Sequence, residues 1–154
     1  MENMEKNLIS DKALAEHEKK RDVMLEHIDT EEGDQSYKTT LVAESAQVEN
    51  LHVRARINGF ELECDKPQNL GGNGSAPTPM QMFLASMANS LETMALLTFS
   101  FKKVKVSSVK VKVAATLDER SILECQGAPY PGFYIFSIIW FITTKESLKR
   151  IEEI

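Results

Sequence analysis

Alternating apolar and polar residues between positions 51 and 64 predict a β-hairpin. Every second residue is apolar, first up to Ile57 and then from Phe60 to Cys64. Asn58-Gly59 lies between the two runs, and this dipeptide favours a two-residue turn because both positions tolerate a positive φ angle. The pattern therefore places one apolar and one charged face on the same pair of strands.

This turn also fixes which residues of the two strands face each other. Residues opposite one another in an antiparallel pair share a face of the sheet. The predicted apolar pairs are Ile57–Phe60, Ala55–Leu62 and Val53–Cys64, and the predicted charged pairs are Arg54–Glu63 and Arg56–Glu61. The Cys64 side chain thus belongs to the apolar face, which favours a packed cysteine over a reactive thiol.

A long helix is predicted from residue 79 to about Phe99. Thr78 can cap its start, Pro79 suits the first helical position, and Gln81 completes a capping box. The helix is apolar on almost all sides, which is typical of a helix at the buried centre of a domain or interface. A narrow stripe of small polar residues interrupts it: Ser86, Asn89, Ser90 and Thr93. On a buried helix such a stripe needs partners or a cavity, so we expect a pocket beside it.

Further strands are expected at residues 37–48, 103–117 and 132–142, the last apolar on both faces and therefore covered on both sides. Thr143 to Glu146 has the form of a second capping box, which predicts a short helix after the last strand. Strands and helices in this order indicate an α+β domain with a buried central helix.

The first 33 residues form an acidic segment. Residues 10–28 have a helical pattern that Ser10 and Asp11 can cap, and Gly33 and Asp34 end it. Residues 1–33 hold ten acidic and five basic residues, so this segment carries the whole net charge of −5. We interpret it as a surface helix, and we assign the remaining residues, 34–154, to one domain.

Charge and hydropathy exclude two classes of partner. A chain with net charge −5 is not expected to bind nucleic acid, although residues 102–112 are rich in lysine. Residues 82–101 approach the length of a membrane span, but Asn89, Ser90, Glu92 and Thr93 lie near their middle. The first residues lack the layout of a signal peptide, so we expect a cytoplasmic protein without membrane association.

Reactive side chains are few in this sequence. Cys64 and Cys125 cannot form a disulfide framework and are not part of a CxxC motif. His17, His27 and His52 share no metal-ligand spacing with each other or with the cysteines. We therefore expect neither a metal site nor a cofactor.

Residues 56–100 resemble the OsmC/Ohr family of thiol peroxidases. The resemblance rests on three short motifs and the start of the helix that follows them: Asp65-Lys66-Pro67, Leu70-Gly71-Gly72, Ala76-Pro77-Thr78-Pro79 and the run from Leu84 to Ser90. A weaker similarity covers 118–133. The resemblance implies an α+β fold with a long buried central helix packed against antiparallel sheets, and an intertwined homodimer with active sites at the subunit interface.

The family's chemistry uses a peroxidatic cysteine on the central helix, a second cysteine that resolves the sulfenic acid, and an arginine and a glutamate that favour the thiolate. Ser90 occupies the peroxidatic position, eleven residues after Pro79, and Met80 occupies the glutamate position. Either Arg54 or Arg56 corresponds to the family arginine. The region of the second cysteine has no counterpart up to residue 154, so we expect a domain that is short at its C-terminus.

These departures predict a stress-response relative that is not a peroxidase. The favoured interpretation is a homodimer with a pocket around Ser86, Asn89, Ser90 and Thr93 that binds a small apolar molecule. One alternative is residual hydroperoxide reduction or redox sensing through Cys64 and Cys125. Another is a structural dimer whose acidic N-terminal helix contacts a partner.

Overall fold

The structure is a computed structural model that describes residues 8–26, 28 and 37–154. It confirms a mixed architecture of helices and antiparallel sheets. The described elements are α1 (Asp11–Glu26), β1 (Glu44–Glu49), β2 (His52–Ile57), β3 (Phe60–Cys64), α2 (Pro79–Phe101), β4 (Val106–Leu117), β5 (Phe133–Thr144) and α3 (Leu148–Glu152). Short 3-10 helices cover Gln68–Leu70 and Glu119–Ser121.

The chain divides into two compact units. One runs from Ala15 to Phe83 and contains the sheet β1–β2–β3. The other is formed by Leu84–Ile154 with residues 8–14, and it contains the sheet β4–β5 and most of α2.

The β2–β3 hairpin has the predicted register. Ile57 pairs with Phe60 and Val53 pairs with Cys64 across an antiparallel ladder. Asn58 and Gly59 form the turn with φ angles of 48° and 81°, as this kind of two-residue turn requires. The hairpin therefore follows from local turn chemistry and residue alternation together.

Strand β1 is shorter than the strand predicted over 37–48. It pairs antiparallel with β2, and its first pair joins Glu44 to Arg56. Because β2 ends at Ile57, residues 37–43 have no strand opposite them in the described part of the chain. The ladder consequently begins seven residues later than the sequence pattern indicated.

Both ends of α2 have identifiable causes. The Gln81 backbone N–H donates to Thr78 Oγ1 at 3.3 Å, and the Thr78 N–H donates to Gln81 Oε1 at 2.8 Å, which confirms the capping box. The helix ends at Phe101, two residues beyond the prediction. The Val104 N–H then donates to the Phe99 carbonyl at 2.8 Å, and Lys103 adopts a positive φ angle of 53°.

Burial of α2 is far lower in the single chain than its composition indicated. Phe99 and Ser100 are its buried residues, and Met94 is 58% exposed. By length and composition alone α2 could cross a membrane, a test that core helices of soluble proteins also pass. The burial expected for this helix is thus not reached within one chain.

Strands β4 and β5 form a long antiparallel ribbon. Val109 pairs with Ile142 on the face that packs on the end of α2. Lys110 pairs with Phe141 on the other face, where Phe141 is 53% exposed. Strand β5 is therefore apolar on both faces, as predicted, but the single chain leaves most of it exposed.

The capping box predicted at Thr143 and Glu146 is wrong. Strand β5 continues to Thr144, so Thr143 is a strand residue that pairs with Ser108 of β4. Its hydroxyl accepts a hydrogen bond from the Ser108 hydroxyl at 3.0 Å. Ser147 caps α3 instead, since its Oγ accepts from the Arg150 N–H at 3.3 Å. The tertiary ladder thus overrides a local helix signal.

Helix α1 agrees with the predicted N-terminal helix. The Ser10 Oγ accepts from the Ala13 N–H at 3.2 Å, which confirms the cap. No residue of α1 is buried. The predicted end at Gly33 and Asp34 lies outside the described residues.

Candidate functional site

An apolar cavity of about 720 Å³ lies in the unit that contains β4 and β5. Its wall residues Ile142, Ile151 and Ile154 pack against a buried apolar cluster. This cluster consists of Phe99, Val104, Val106 and Val109. Three elements supply the walls: Leu91, Met94, Ala95, Thr98 and Phe99 from α2; Trp140, Ile142 and Thr144 from β5; and Glu146, Leu148, Ile151 and Ile154 from the C-terminal segment.

The polar side chains of this cavity are few, and their hydrogen bonds are specific. The Thr98 hydroxyl donates to the Met94 carbonyl at 2.8 Å. The Thr144 hydroxyl donates to the Lys105 carbonyl at 2.6 Å and accepts from the Glu146 N–H at 3.0 Å. Glu146 is the one charged residue among the wall residues. The chemistry of the cavity is thus apolar with a few acceptor groups.

The predicted polar stripe does not line this cavity. Ser86, Asn89, Ser90 and Thr93 share one exposed face of α2. Ser90 and Ala95 are five residues apart, which turns the helix by roughly 140°. The cavity therefore lies on nearly the opposite side of α2, and the stripe remains a predicted interface site.

The cavity was not predicted, although the sequence contains a signal for it. Leu91, Met94, Ala95 and Thr98 follow the spacing of a single helix face. That face is hard to recognise because α2 is apolar on most other sides as well. Whether Trp140 of β5 lines the cavity depends on the register between β4 and β5, which the sequence of α2 does not determine.

The two arginines proposed for the pocket are held by carboxylates on the charged face of the β2–β3 hairpin. Arg54 donates to Glu63 Oε1 through Nε at 2.8 Å and through its terminal nitrogen at 2.6 Å. Arg56 donates to Glu61 Oε1 at 2.8 Å. The hydrogen bonds between Arg54 and Glu63 raise the pKa of Arg54 and lower the pKa of Glu63. Both arginines and Met80 belong to the unit Ala15–Phe83, whereas all the cavity residues belong to the other unit.

The cysteines occupy unlike positions. Cys64 is half-buried at the end of β3, whereas Cys125 is exposed in the connection between β4 and β5. Each is a free cysteine, and each belongs to a different unit. Among residues 8–26, 28 and 37–154, no group of three or more His, Cys, Asp or Glu side chains is placed to hold a metal ion.

A buried carboxylate organises the loop that precedes α2. Asp65 is 1% exposed, and its oxygens accept from the backbone N–H groups of Lys66, Asn73 and Ser75 at 2.7, 3.1 and 3.1 Å. The Ser75 hydroxyl adds a fourth bond at 2.9 Å. These bonds, the one from the Ser75 N–H foremost, outweigh the effect of burial and lower the pKa of Asp65 to about 2.

The Gly71-Gly72 pair allows this loop to close around Asp65. Gly71 has a φ angle of 83°, which favours glycine. A Cβ atom at Gly72 would overlap the Lys66 carbonyl oxygen and approach Asp65 Oδ1. The residues of two of the motifs quoted above thus form one structural clamp, and sequence analysis did not assign them that role.

Comparisons with known proteins agree with this architecture. Residues 72–154 match the family model described as OsmC-like protein, and no curated protein matches the chain. An organic hydroperoxide resistance protein OsmC from Legionella pneumophila is 24% identical, with a TM-score of 0.53 over 75% of this chain and 78% of that chain. An OsmC-like protein from Mycoplasma pneumoniae is 17% identical, with a TM-score of 0.62 over 75% and 77%. At these identities the likeness establishes the fold.

We expect the Asp65 clamp to make stability depend on pH in the acid range. The pKa of Asp65 is about 2 in the folded chain, below its ordinary value of 3.8. Its contribution is therefore complete above about pH 4 and is lost as the pH falls towards 2. Urea unfolding of Asp65→Asn should show lower stability than wild type at pH 7, with the difference shrinking below pH 4.

Ser75→Ala removes the side-chain bond and should give an intermediate loss at pH 7. An Asp65→Asn variant as stable as wild type at pH 7 would contradict the clamp.

Proposed function

The chain belongs to the family of OsmC-like proteins, and we propose that it binds a small apolar molecule and does not reduce hydroperoxides by the family's cysteine chemistry. It is a member of the OsmC/Ohr stress-response family. The observation that carries the binding proposal is the apolar cavity between α2, β5 and the C-terminal segment.

The chemistry of residue 90 supports the non-peroxidatic half of the proposal. A thiolate attacks a peroxide oxygen, breaks the O–O bond and becomes a sulfenic acid, which a second thiol reduces. The Ser90 hydroxyl stays protonated at neutral pH and has no sulfenic acid chemistry. Met80, at the family's glutamate position, offers no charge to orient a neighbouring arginine.

The dimensions of the cavity support the binding half. Ligand sites usually enclose about 300–1,000 Å³ and are mostly apolar with a few polar groups. A cavity of about 720 Å³ fits that range, and its walls come from three separate elements. The ligand site is thereby proposed on the face of α2 that bears Leu91 and Ala95, and not on the polar stripe.

We further propose that the chain forms a homodimer in the cytoplasm. Exposed apolar faces of this extent are unusual in a monomer, and α2 and β5 both carry them. A partner chain over α2 would also cover Ser86, Asn89, Ser90 and Thr93 and place their hydroxyl and amide groups at the interface. Nucleic acid and membrane partners are not part of the proposal.

Redox chemistry at Cys64 and Cys125 is the second candidate function. Cys125 is exposed, so a peroxide could reach its sulfur. A disulfide version requires the two sulfur-bearing residues to approach with Cα atoms within about 7 Å. Peroxide turnover that depends on these two thiols would distinguish this function from the favoured one.

Peroxide consumption tests the catalytic half of the proposal. With an organic hydroperoxide and a dithiol reductant, the wild-type chain should give turnover no faster than the reductant alone. A Cys64→Ser/Cys125→Ser variant should behave identically, because neither thiol takes part. Ser90→Cys is the informative comparison, since a gain of activity would show that the surroundings still suit peroxide. Wild-type turnover that disappears in the double variant would establish the redox alternative.

Fluorescence tests the binding half. Trp140 is the single tryptophan and lines the cavity, so it reports on occupation. A neutral apolar dye such as Nile red should change the Trp140 emission and bind wild type at least about tenfold more tightly than Ala95→Phe, which fills the cavity. Ala85→Phe makes the same change on an exposed part of α2 outside the cavity and should bind like wild type. Equal binding by all three proteins would refute the site.

Light scattering tests the dimer. The chain has a mass of 17.3 kDa, and a homodimer should scatter light with twice that mass at micromolar concentration. Asn89→Arg probes the interface without touching the cavity, because Asn89 belongs to the polar stripe and is not a wall residue. Two Asn89→Arg chains would bury like charges and should dissociate, whereas a wild-type protein of single-chain mass would contradict the proposal.

A further inference from the structure

We propose that the cavity selects apolar ligands whose polar end is a cation or hydrogen-bond donor, with alkylammonium compounds as the best class and carboxylates as the poorest. This inference rests on the proposed ligand-binding function and names the ligand chemistry of the same site. It follows from which hydrogen-bonding positions of the wall residues are already used.

The threonine hydroxyls of the cavity have no donor to offer. Each hydroxyl carries a single hydrogen. Thr98 directs its hydrogen to the Met94 carbonyl, and Thr144 directs its hydrogen to the Lys105 carbonyl. Both oxygens keep only acceptor positions for a ligand, and one acceptor position of Thr144 already receives the Glu146 N–H.

The remaining polar side chains are Glu146 and Trp140. Glu146 brings a negative charge and only accepts hydrogen bonds when ionised. Trp140 provides one neutral donor, its indole N–H, which cannot balance a full negative charge by itself. The wall residues therefore combine several acceptors and one anion with a single neutral donor.

Cations in the neighbourhood do not reverse this polarity. Lys145 and Lys149 flank Glu146 in sequence, and the Lys105 carbonyl accepts from Thr144, but none of these three lysines lines the cavity. Arg150 directs its guanidinium to the Lys102 carbonyl at 3.5 Å, which turns this group towards the end of α2. The charge that a ligand meets at the cavity wall is that of Glu146.

For one alkyl chain, the affinity is expected to fall from an ammonium head group to a hydroxyl and then to a carboxylate. An ammonium group donates up to three hydrogen bonds and is attracted by Glu146. A hydroxyl group donates one bond and meets no charge. A carboxylate is repelled by Glu146 and finds only the indole N–H. The attraction and the repulsion are each modest because Glu146 is exposed, and together they amount to about tenfold in affinity.

The test compares decylammonium, decanol and decanoate by titration of Trp140 fluorescence at pH 7 and low salt, below the concentrations at which they form micelles. Decylammonium should bind about tenfold more tightly than decanoate, with decanol between them. Higher salt should narrow the difference, because it screens the charge of Glu146.

Glu146→Gln removes the charge while keeping the shape of the side chain, and it should bring the three affinities to within about twofold of one another. Glu153→Gln is the matched control. It removes the same charge from the same end of the chain, but Glu153 does not line the cavity, and the wild-type order should persist.

The outcomes separate this inference from the function on which it rests. If none of the three compounds changes Trp140 fluorescence, the ligand-binding function fails. If all three bind with equal affinity, or decanoate binds best, the binding function stands and the head-group inference is overturned. A preference for decylammonium that survives Glu146→Gln would also overturn it.

Discussion

Four buried apolar side chains hold together the part of the chain that carries the cavity. Phe99 comes from the last turns of α2, Val104 from the turn that follows, and Val106 and Val109 from β4. Because Ile142, Ile151 and Ile154 pack on the same cluster, it fixes the positions of β5 and α3 as well. The cavity exists because this small core closes one end of the space between α2 and β5 and leaves the rest of it open.

Local signals in the sequence were accurate where neighbours along the chain decide the structure. The turn at Asn58-Gly59 determines the register of its hairpin, and the Thr78–Gln81 capping box determines where α2 begins. The same kind of signal failed at Thr143, because pairing with β4 extended β5 through the predicted cap. Chain neighbours thus settle turns and helix starts, and long-range pairing settles where strands end.

The candidate site was less predictable for a related reason. The polar stripe from Ser86 to Thr93 was visible because polar residues stand out on an apolar helix. The cavity involves the opposite face, where apolar residues resemble the rest of α2, and it requires Trp140 and Ile142 to be brought opposite by strand pairing. The Asp65 clamp had a recognisable motif, but only the geometry assigns the burial of that carboxylate and the need for glycine at position 72.

Strand β5 has a consequence for the behaviour of the protein in solution. It is twelve residues long and carries no charged side chain, and in the described chain it pairs on one side only, with β4. Uncharged strands with an open edge recruit further strands, whereas lysines such as Lys110 and Lys112 on β4 hinder that growth. Resistance to aggregation is therefore unevenly distributed along this ribbon. In the single chain β5 is therefore the edge of this ribbon that is more prone to aggregation.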